Sequence, residues 1–217
     1  MIAEIPYVLL ISGVVLAGLW LSNILYDLGI PHYLSRKIGH SAGGVAFLLC
    51  GIFFSSAGWP IILAVAFTLL LWGARVLKPE TFRGVGGSGR NKRVWAEVWF
   101  AGVALPVFVV GWMVLKKPLI SVSCLLFMAW GDCVTGIIRY KVYARPVKGL
   151  WGSLGMLVVC LGISLAFVKP FWAGVAGSFM ATVAEWLFGD LGLIKWGDDN
   201  WAIPLVGLGT ILGLLAF

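Results

Sequence analysis

A short segment in the second half of the chain combines acidic, basic and glycine residues at helical spacing. Asp132 and Gly136 are four residues apart and Arg139 follows three residues later, so an α-helix places them on one face. A carboxylate is a hard oxygen ligand for Mg²⁺, and an arginine neutralises phosphate oxygens. Gly131 precedes the acid, and the glycine at 136 lets a phosphate chain approach the backbone. The segment predicts a metal and phosphate site, although a helix cap or an ion pair would also account for Asp132.

A cluster of acidic residues precedes the last apolar run. Glu185 is followed by Asp198, Asp199 and Asn200. Asp199 or Asn200 alone is enough to cap the next helix. The remaining acids exceed what capping needs, so they offer a second metal ligand and a general base for a hydroxyl group. We expect Asp132 and Asp199 to bind the metal, and Glu185 and Asp198 to take part in catalysis with them.

A basic group occurs early in the chain, at 36–40. Arg36 and His40 are at i, i+4 spacing and Lys37 and His40 are at i, i+3 spacing, which places them together on a helix. Such a group is suited to clamping phosphates, and the histidine is one possible proton acceptor. The alternative is a positively charged membrane anchor that leads into a helix packed through small residues.

Two glycine-rich segments are candidates for phosphate-binding loops. In 148–153, Lys148 is suited to bind phosphate beside Gly152, and Ser153 is expected to cap the helix that begins there. A simple capping turn would account for the same residues. The segment 84–90 lacks the GxxxxGK[ST] spacing of a phosphate loop, so we predict a flexible cytoplasmic loop.

The elements that carry these residues are predicted to be membrane helices. The chain of 217 residues is 61% hydrophobic and 12% charged, with a mean hydropathy of +1.01, which excludes a soluble protein. Long runs that are apolar on every side also exclude a β-barrel. We predict an all-α, polytopic helical bundle that forms a single catalytic domain over 1–217. Its eight expected spans are 5–26, 38–57, 59–77, 94–114, 118–138, 151–168, 170–187 and 201–217.

The four cysteines do not indicate a metal site or a disulfide framework. They lack CxxC spacing and most of them lie in apolar runs. We expect small apolar packing residues at Cys50, Cys124, Cys133 and Cys160.

The distribution of basic residues predicts how the bundle is oriented. Thirteen of the sixteen lysines and arginines fall in the odd-numbered connections, and only Lys116, Lys117 and Lys169 fall elsewhere. Because basic residues collect on the cytoplasmic side, both termini are expected outside. The same division puts both histidines and every acid except Glu4 on the cytoplasmic side. Positive-inside bias explains the basic residues, but it does not explain costly acids beside apolar helices.

Basic side chains interleaved with carboxylates at one membrane surface suit a polyphosphate bound with a divalent metal. Without an aqueous domain, the chemistry must take place at the lipid boundary. A lipid that enters sideways between helices is therefore the expected second substrate, and phosphoryl or nucleotidyl transfer onto it is the expected reaction. No nucleic-acid partner is expected, and the oligomeric state is open.

In this order, the four segments resemble the CTP-dependent lipid and polyprenol kinase family, which includes dolichol kinase and phytol kinase. The segment RKIGH at 36–40 is similar to the family's RKxxH, and GDCVTGIIRY at 131–140 to its GDxxxGxxxR. The segment KGLWGSLGM at 148–156 is similar to its KSxEGS loop. The segment at 184–205 is similar to the family's E…DDNxxxPL ending. The chain departs from the family at Gly149, which replaces Ser or Thr, and at Trp151, which replaces an acid.

The resemblance implies transfer of the CTP γ-phosphate to an isoprenoid alcohol with magnesium. It also implies a role for each matching residue. Asp132 would lie near the metal, and Glu185, Asp198, Asp199 and Asn200 would surround the transfer site. The residues implied near the nucleotide are Arg36, Lys37, Gly131, Gly136, Arg139, Lys148, Gly152 and Ser153.

Several rival functions remain open at this point. A cytidylyltransferase that makes a CDP-lipid would use the same CTP and metal but would attack the α-phosphate. A CTP-dependent diacylglycerol kinase differs only in its acceptor. A transporter would need charges near the membrane midplane, and a scaffold would give no reason for the acids. The residue that takes the alcohol proton is also open among Asp198, Asp199, Glu185 and His40.

Overall fold

The computed structural model describes residues 2–86, 95–145, 147–189, 191–195 and 197–216, and over these residues the protein is all-helical. The first half contains a short 3₁₀ turn at Ile2–Glu4 and four helices: α1 (Ile5–Asp27), α2 (His32–Phe53), α3 (Gly58–Leu77) and α4 (Ala96–Gly102). The next helices are α5 (Ala104–Val107), the π-helix Phe108–Val114, α6 (Pro118–Leu126) and the π-helix Phe127–Gly131. The last four are α7 (Asp132–Tyr143), α8 (Leu150–Phe167), α9 (Phe171–Leu187) and α10 (Asp199–Leu215).

Every predicted span overlaps a helix or a series of helical segments, although the span predicted at 38–57 falls on a helix that runs over His32–Phe53. Residues 94 and 217 of the predicted spans lie outside the described residues. Five of these helices or series are long and apolar enough to cross a membrane: Ile5–Asp27, Gly58–Leu77, Ala96–Val114, Pro118–Tyr143 and Leu150–Phe167. The helix α2 carries basic residues and histidines in its first turns, and α9 and α10 have 17 residues each. The all-helical prediction is confirmed. The count of eight spans and the outward termini stay predictions.

The chain divides into two compact units, Met1–Leu105 and Pro106–Phe217. In the first unit, α1 packs closely on α2. A Cβ added at Gly18 would overlap the side chain of Ala42, so only glycine permits this approach. The prediction of one catalytic domain over 1–217 stays a prediction.

The turn that follows α3 is bound tightly to the first two helices. Gly84 N donates to Asn23 Oδ1 at 2.9 Å, and Ser35 Oγ donates to the Gly84 carbonyl at 2.9 Å. Val85 is 3% exposed. The prediction of a flexible loop is therefore wrong for Gly84–Gly86, because these residues pack against helices. The rest of that segment, 87–90, lies outside the described residues.

The first unit also contains a buried ion pair that the sequence did not single out. Arg75 in α3 donates to Glu97 in α4 at 3.0 Å, with both side chains almost fully buried. The guanidinium lies over the ring of Trp95, 5.9 Å from its centroid. This pair joins the end of α3 to the start of α4.

The second unit is built around the α6–π–α7 series. Its most apolar stretch within Pro118–Tyr143 is 78% buried, the highest share among the five candidate spans. The helices α8, α9 and α10 pack around it, and a Cβ at Gly177 in α9 would lie 2.5 Å from the Ile211 side chain in α10. The second unit therefore holds Asp132 in a close-packed helical environment.

All four cysteines are free and buried, as the sequence predicts. They act as small packing residues. Cys160, for example, lies beside Gly131, where an added Cβ would meet its sulfur at 3.1 Å.

Candidate active site

Three carboxylates from three different helices converge in the second unit. Asp132 begins α7, Glu185 lies in the last turns of α9, and Asp199 begins α10. One oxygen of each lies within 4.8 Å of the others. The sequence predicted all three as site residues, and the fold brings them together although Asp132 and Asp199 are far apart in the chain.

The position of Asp132 depends on the helix segment that precedes it. The π-helix Phe127–Gly131 runs directly into α7, and Gly131 approaches Met156 and Cys160 of α8 so closely that a Cβ would lie 3.1 Å from each. Within α7, Asp132, Gly136 and Arg139 are all buried. The predicted helical face is confirmed, and it is directed into the protein.

Glu185 is the most deeply buried acid of the cluster, with 0% exposure. Arg139 forms a two-pronged ion pair with it, from Nη1 to Oε1 at 3.0 Å and from Nη2 to Oε2 at 3.0 Å. Lys148 Nζ donates to Glu185 Oε1 at 2.5 Å and also to its backbone carbonyl. A buried carboxylate needs such partners, because its desolvation costs several kcal/mol. Glu185 therefore joins α7, α9 and the segment before α8.

Asp199 is more accessible, since 17% of its side chain is exposed. Its Oδ2 lies 3.5 Å from Lys148 Nζ, so the same ammonium group contacts two of the three acids. The turn between α9 and α10 holds Asp199 in place. Gly189 has a φ of +92°, and a Cβ there would lie 3.0 Å from Asp199 Oδ2. Only glycine fits this backbone conformation without strain.

The donor set fits a magnesium ion. Three carboxylates offer hard oxygen ligands within 4.8 Å of one another, as Mg²⁺ prefers. Arg139 and Lys148 both contact Glu185, and Lys148 also contacts Asp199, so these cations lie within the same cluster.

The start of α8 lies against the arginine of the site. A Cβ added at Gly152 would lie 2.8 Å from Arg139 Nε and 3.2 Å from the methyl group of Thr135. Arg139 Nε and Ser153 Oγ are buried and have no hydrogen-bond partner among the described residues. A phosphate oxygen or a water molecule at this helix start would satisfy such donors.

The prediction that Ser153 caps α8 is wrong. The helix begins at Leu150, and Gly149 occupies the cap position without a side-chain hydrogen bond. Ser153 lies inside the first turns because the helix starts four residues earlier than a serine cap requires. Its role in nucleotide binding stays a prediction.

The cap of α10 is Asp198, whose Oδ1 accepts a hydrogen bond from Asn200 N at 2.9 Å. The capping alternative, which named Asp199 or Asn200, is wrong, because Asp198 occupies the cap position. Because Asp198 takes this role, the carboxylate of Asp199 is available to the cluster. Asn200 is fully buried at the helix start.

Three further predicted site residues belong to the first unit. Arg36, Lys37 and His40 lie in the first turns of α2, and Lys37 and His40 are buried. The His40 ring packs against Phe100, with 4.4 Å between ring centroids. The predicted helical spacing is confirmed, and the roles of these residues stay predictions.

Two supporting residues were missed in the sequence. Thr135 Oγ1 donates to the carbonyls of Gly131 at 3.0 Å and Gly152 at 3.2 Å, which ties α7 to α8. Gly189 shapes the turn that carries Asp199. Neither has a distinctive signal: a threonine inside a helix and a glycine in a turn are common.

The chain is similar to probable phytol kinases of two plants. The chain is 23% identical over 197 aligned positions to probable phytol kinase 3, chloroplastic, of Glycine max, covering 81% of this chain and 61% of the relative. It is 25% identical over 229 aligned positions to probable phytol kinase 2, chloroplastic, of Oryza sativa subsp. japonica, covering 95% of this chain and 74% of the relative.

The chain thus spans about three fifths of the length of the soybean protein. No family model matches it, and no solved structure matches it. The similarity is distant, and it supports a phytol or polyprenol kinase-like family.

Proposed function

We propose that this protein is a multi-pass membrane kinase that transfers the γ-phosphate of CTP to the hydroxyl group of an isoprenoid alcohol at the cytoplasmic face. The observation that carries the proposal is the cluster of Asp132, Glu185 and Asp199 with two buried cations. Phosphoryl transfer asks a protein mainly for positioning and charge neutralisation, which such a cluster supplies. The similarity to phytol kinases supports an isoprenoid alcohol as acceptor.

In the proposed reaction, the alcohol oxygen bonds to the γ-phosphorus of CTP while the bond from that phosphorus to the β,γ-bridging oxygen breaks. CDP leaves, and the alcohol proton passes to a carboxylate. Magnesium, when bound by Asp132 and Asp199, would neutralise charge on the phosphates. Arg139 and Lys148 would orient the phosphate chain along Gly136 and the start of α8.

Glu185 is better suited to position its neighbours than to accept the proton. It is fully buried, and two cations hold it, so both of its oxygens are engaged. Asp198 and Asp199 are partly exposed and are the better candidates for the proton acceptor. The role of Arg36 and Lys37 in binding phosphates and that of His40 as a proton acceptor stay predictions.

The decisive experiment supplies the purified protein in lipid with magnesium and CTP labelled at either the α- or the γ-phosphate. Phytol, geranylgeraniol, dolichol and diacylglycerol are offered separately. We expect the γ-label, and not the α-label, in an isoprenyl phosphate. The α-label in lipid would instead identify a cytidylyltransferase, and γ-label in phosphatidate alone would identify a diacylglycerol kinase. ATP and GTP in place of CTP test the choice of donor.

A further inference from the structure

Lys148 occupies the carboxylate cluster in an unusual way. Its Nζ lies 2.5 Å from Glu185 Oε1 and 3.5 Å from Asp199 Oδ2, so one ammonium group bridges two of the three acids of the cluster, and one of these two, Asp199, is an expected magnesium ligand. We propose that Lys148 is an internal counter-ion, which a divalent metal displaces from these acids and thereby releases for the phosphates of the donor. The inference rests on the proposed function for the identity of the metal and of the donor.

Charge repulsion and limited space both favour replacement of the Lys148 ammonium group by the metal ion over binding of both cations to the cluster at once. A cation coordinated by acids whose oxygens lie within 4.8 Å of one another would be close to the ammonium group that already contacts two of them. The two positive charges repel at that distance, and they compete for the same oxygen lone pairs. The buried setting weakens screening by water and salt, which makes the competition stronger.

The two cations of the site differ in how easily they can leave. Arg139 lies within α7 and holds both oxygens of Glu185. Lys148 lies in the non-helical stretch between α7 and α8, on a flexible four-carbon stem, and is followed by Gly149. When Lys148 moves away, Arg139 still compensates the buried charge of Glu185. The arginine is thus the permanent partner and the lysine the exchangeable one.

The first test measures metal binding without nucleotide, using Mn²⁺ and the loss of its free-ion electron paramagnetic resonance signal in detergent. The variants are Lys148→Met, which keeps the length and removes the charge, and the control Lys141→Met at an exposed position in α7. We expect Lys148→Met to bind Mn²⁺ at least about fivefold more tightly than the wild type, the lower end of usual coupling between two sites. The control should bind as the wild type does.

Unchanged or weaker Mn²⁺ binding by a folded Lys148→Met variant would overturn the exchange, as would a complete absence of Mn²⁺ binding in both proteins. Asp199→Asn should abolish the tightening, which ties the effect to this cluster.

A second test uses the wild-type protein, so it does not depend on a variant that folds. An amine-acetylating reagent followed by mass spectrometry reports the reactivity of each lysine. We expect Mg²⁺ to raise the reactivity of Lys148 several-fold and to leave that of Lys141 unchanged. Equal or lower reactivity of Lys148 with Mg²⁺ would contradict its release.

These outcomes separate the exchange from the proposed function. Tighter Mn²⁺ binding by Lys148→Met without any lipid phosphorylation by the wild type would leave the exchange intact and refute the kinase. Lipid phosphorylation by the wild type with unchanged metal binding in Lys148→Met would support the kinase and refute the exchange.

Discussion

Asp132 is the residue on which the proposed chemistry depends most directly. It is 4% exposed, and it stands at the start of α7 beside Glu185 and Asp199. Asparagine keeps its volume and removes its charge. We expect Asp132→Asn to lower the rate of lipid phosphorylation by about 100-fold, because one charged group that stabilises the transition state is lost. Label transfer gives the rate, and thermal unfolding in detergent should stay close to the wild type.

The matched control for this substitution is Asp27→Asn. Asp27 pairs with Arg83 at the surface, where both side chains are about two-fifths exposed. Exposed pairs contribute little, roughly 0–1 kcal/mol. Wild-type turnover by Asp132→Asn, or an equal loss in Asp27→Asn, would contradict the role of Asp132.

The lowered pKa of His32 predicts how the stability of the first unit depends on pH. Burial, and next to it the positive charge of Arg36, lower the pKa of this histidine from its usual 6.5. Its ring meets Tyr26 of α1 edge to face, and it lies ahead of the predicted span 38–57. Because the folded protein favours the neutral ring, the unfolded chain binds more protons as the pH falls below 6.5. The free energy of unfolding should therefore decrease as the pH falls from about 6.5 to the lowered pKa of His32 in the folded protein.

Thermal unfolding of His32→Asn between pH 7.5 and 5 checks this expectation. The variant should lose less stability on acidification than the wild type. A parallel pH dependence in the two proteins would show that another group is responsible.

At the scale of elements, α8 offers a pair of glycines for comparison. A Cβ at Gly152 would lie 2.8 Å from Arg139 Nε, whereas a Cβ at Gly162 in the same helix would meet nothing within 4 Å. Glycine to alanine inside a helix is otherwise favourable by about 0.5–1 kcal/mol. We expect Gly162→Ala to be active and at least as stable as the wild type. Gly152→Ala should displace Arg139 and lose most of its activity, and equal activities in the two variants would contradict this contact.

The turn between α9 and α10 makes a second prediction at this scale. Gly189→Ala places a Cβ 3.0 Å from Asp199 Oδ2 at a φ of +92°. Gly29→Ala shares the positive φ, at +85°, but its Cβ would meet nothing within 4 Å. Both variants should lose roughly 1–2 kcal/mol of stability from the backbone conformation. Only Gly189→Ala should also weaken Mn²⁺ binding, which is measured by the loss of the free-ion electron paramagnetic resonance signal.

The sequence was informative about elements and less so about their ends. Hydropathy located every long helix, because burial in a membrane or a core needs continuous apolar runs. The face shared by Asp132 and Arg139 followed from spacing within one helix. The ion-pair partners of Glu185 could not be predicted from spacing, because Arg139 and Lys148 are 46 and 37 residues away in sequence. The cap position of α8 also differs from the prediction. Gly149 rather than Ser153 precedes the helix, because hydrogen-bond partners near a helix end depend on tertiary packing.

At the scale of the whole molecule, the distribution of basic residues predicts the membrane topology. Thirteen of the sixteen lysines and arginines fall in the odd-numbered connections between the eight predicted spans. If both termini are outside, cysteines introduced at Lys116 and Lys169 should react with an impermeant thiol reagent added to intact cells. A cysteine at Lys141 should react only after the membrane is opened. The four native cysteines are buried and should give a low background. Labelling of position 141 in intact cells would reverse the orientation.

The ion network around Glu185 has a consequence for how this protein can change over evolution. Loss of Arg139 removes the partner that holds both oxygens of Glu185, at a cost of about 3–5 kcal/mol, which is a large share of the roughly 5–15 kcal/mol by which native proteins are stable. Arg139 and Glu185 should therefore be inherited as a pair. A descendant that abandons this arrangement must pass through at least one crippled ancestor or replace several residues together, so the network acts as an epistatic barrier to drift.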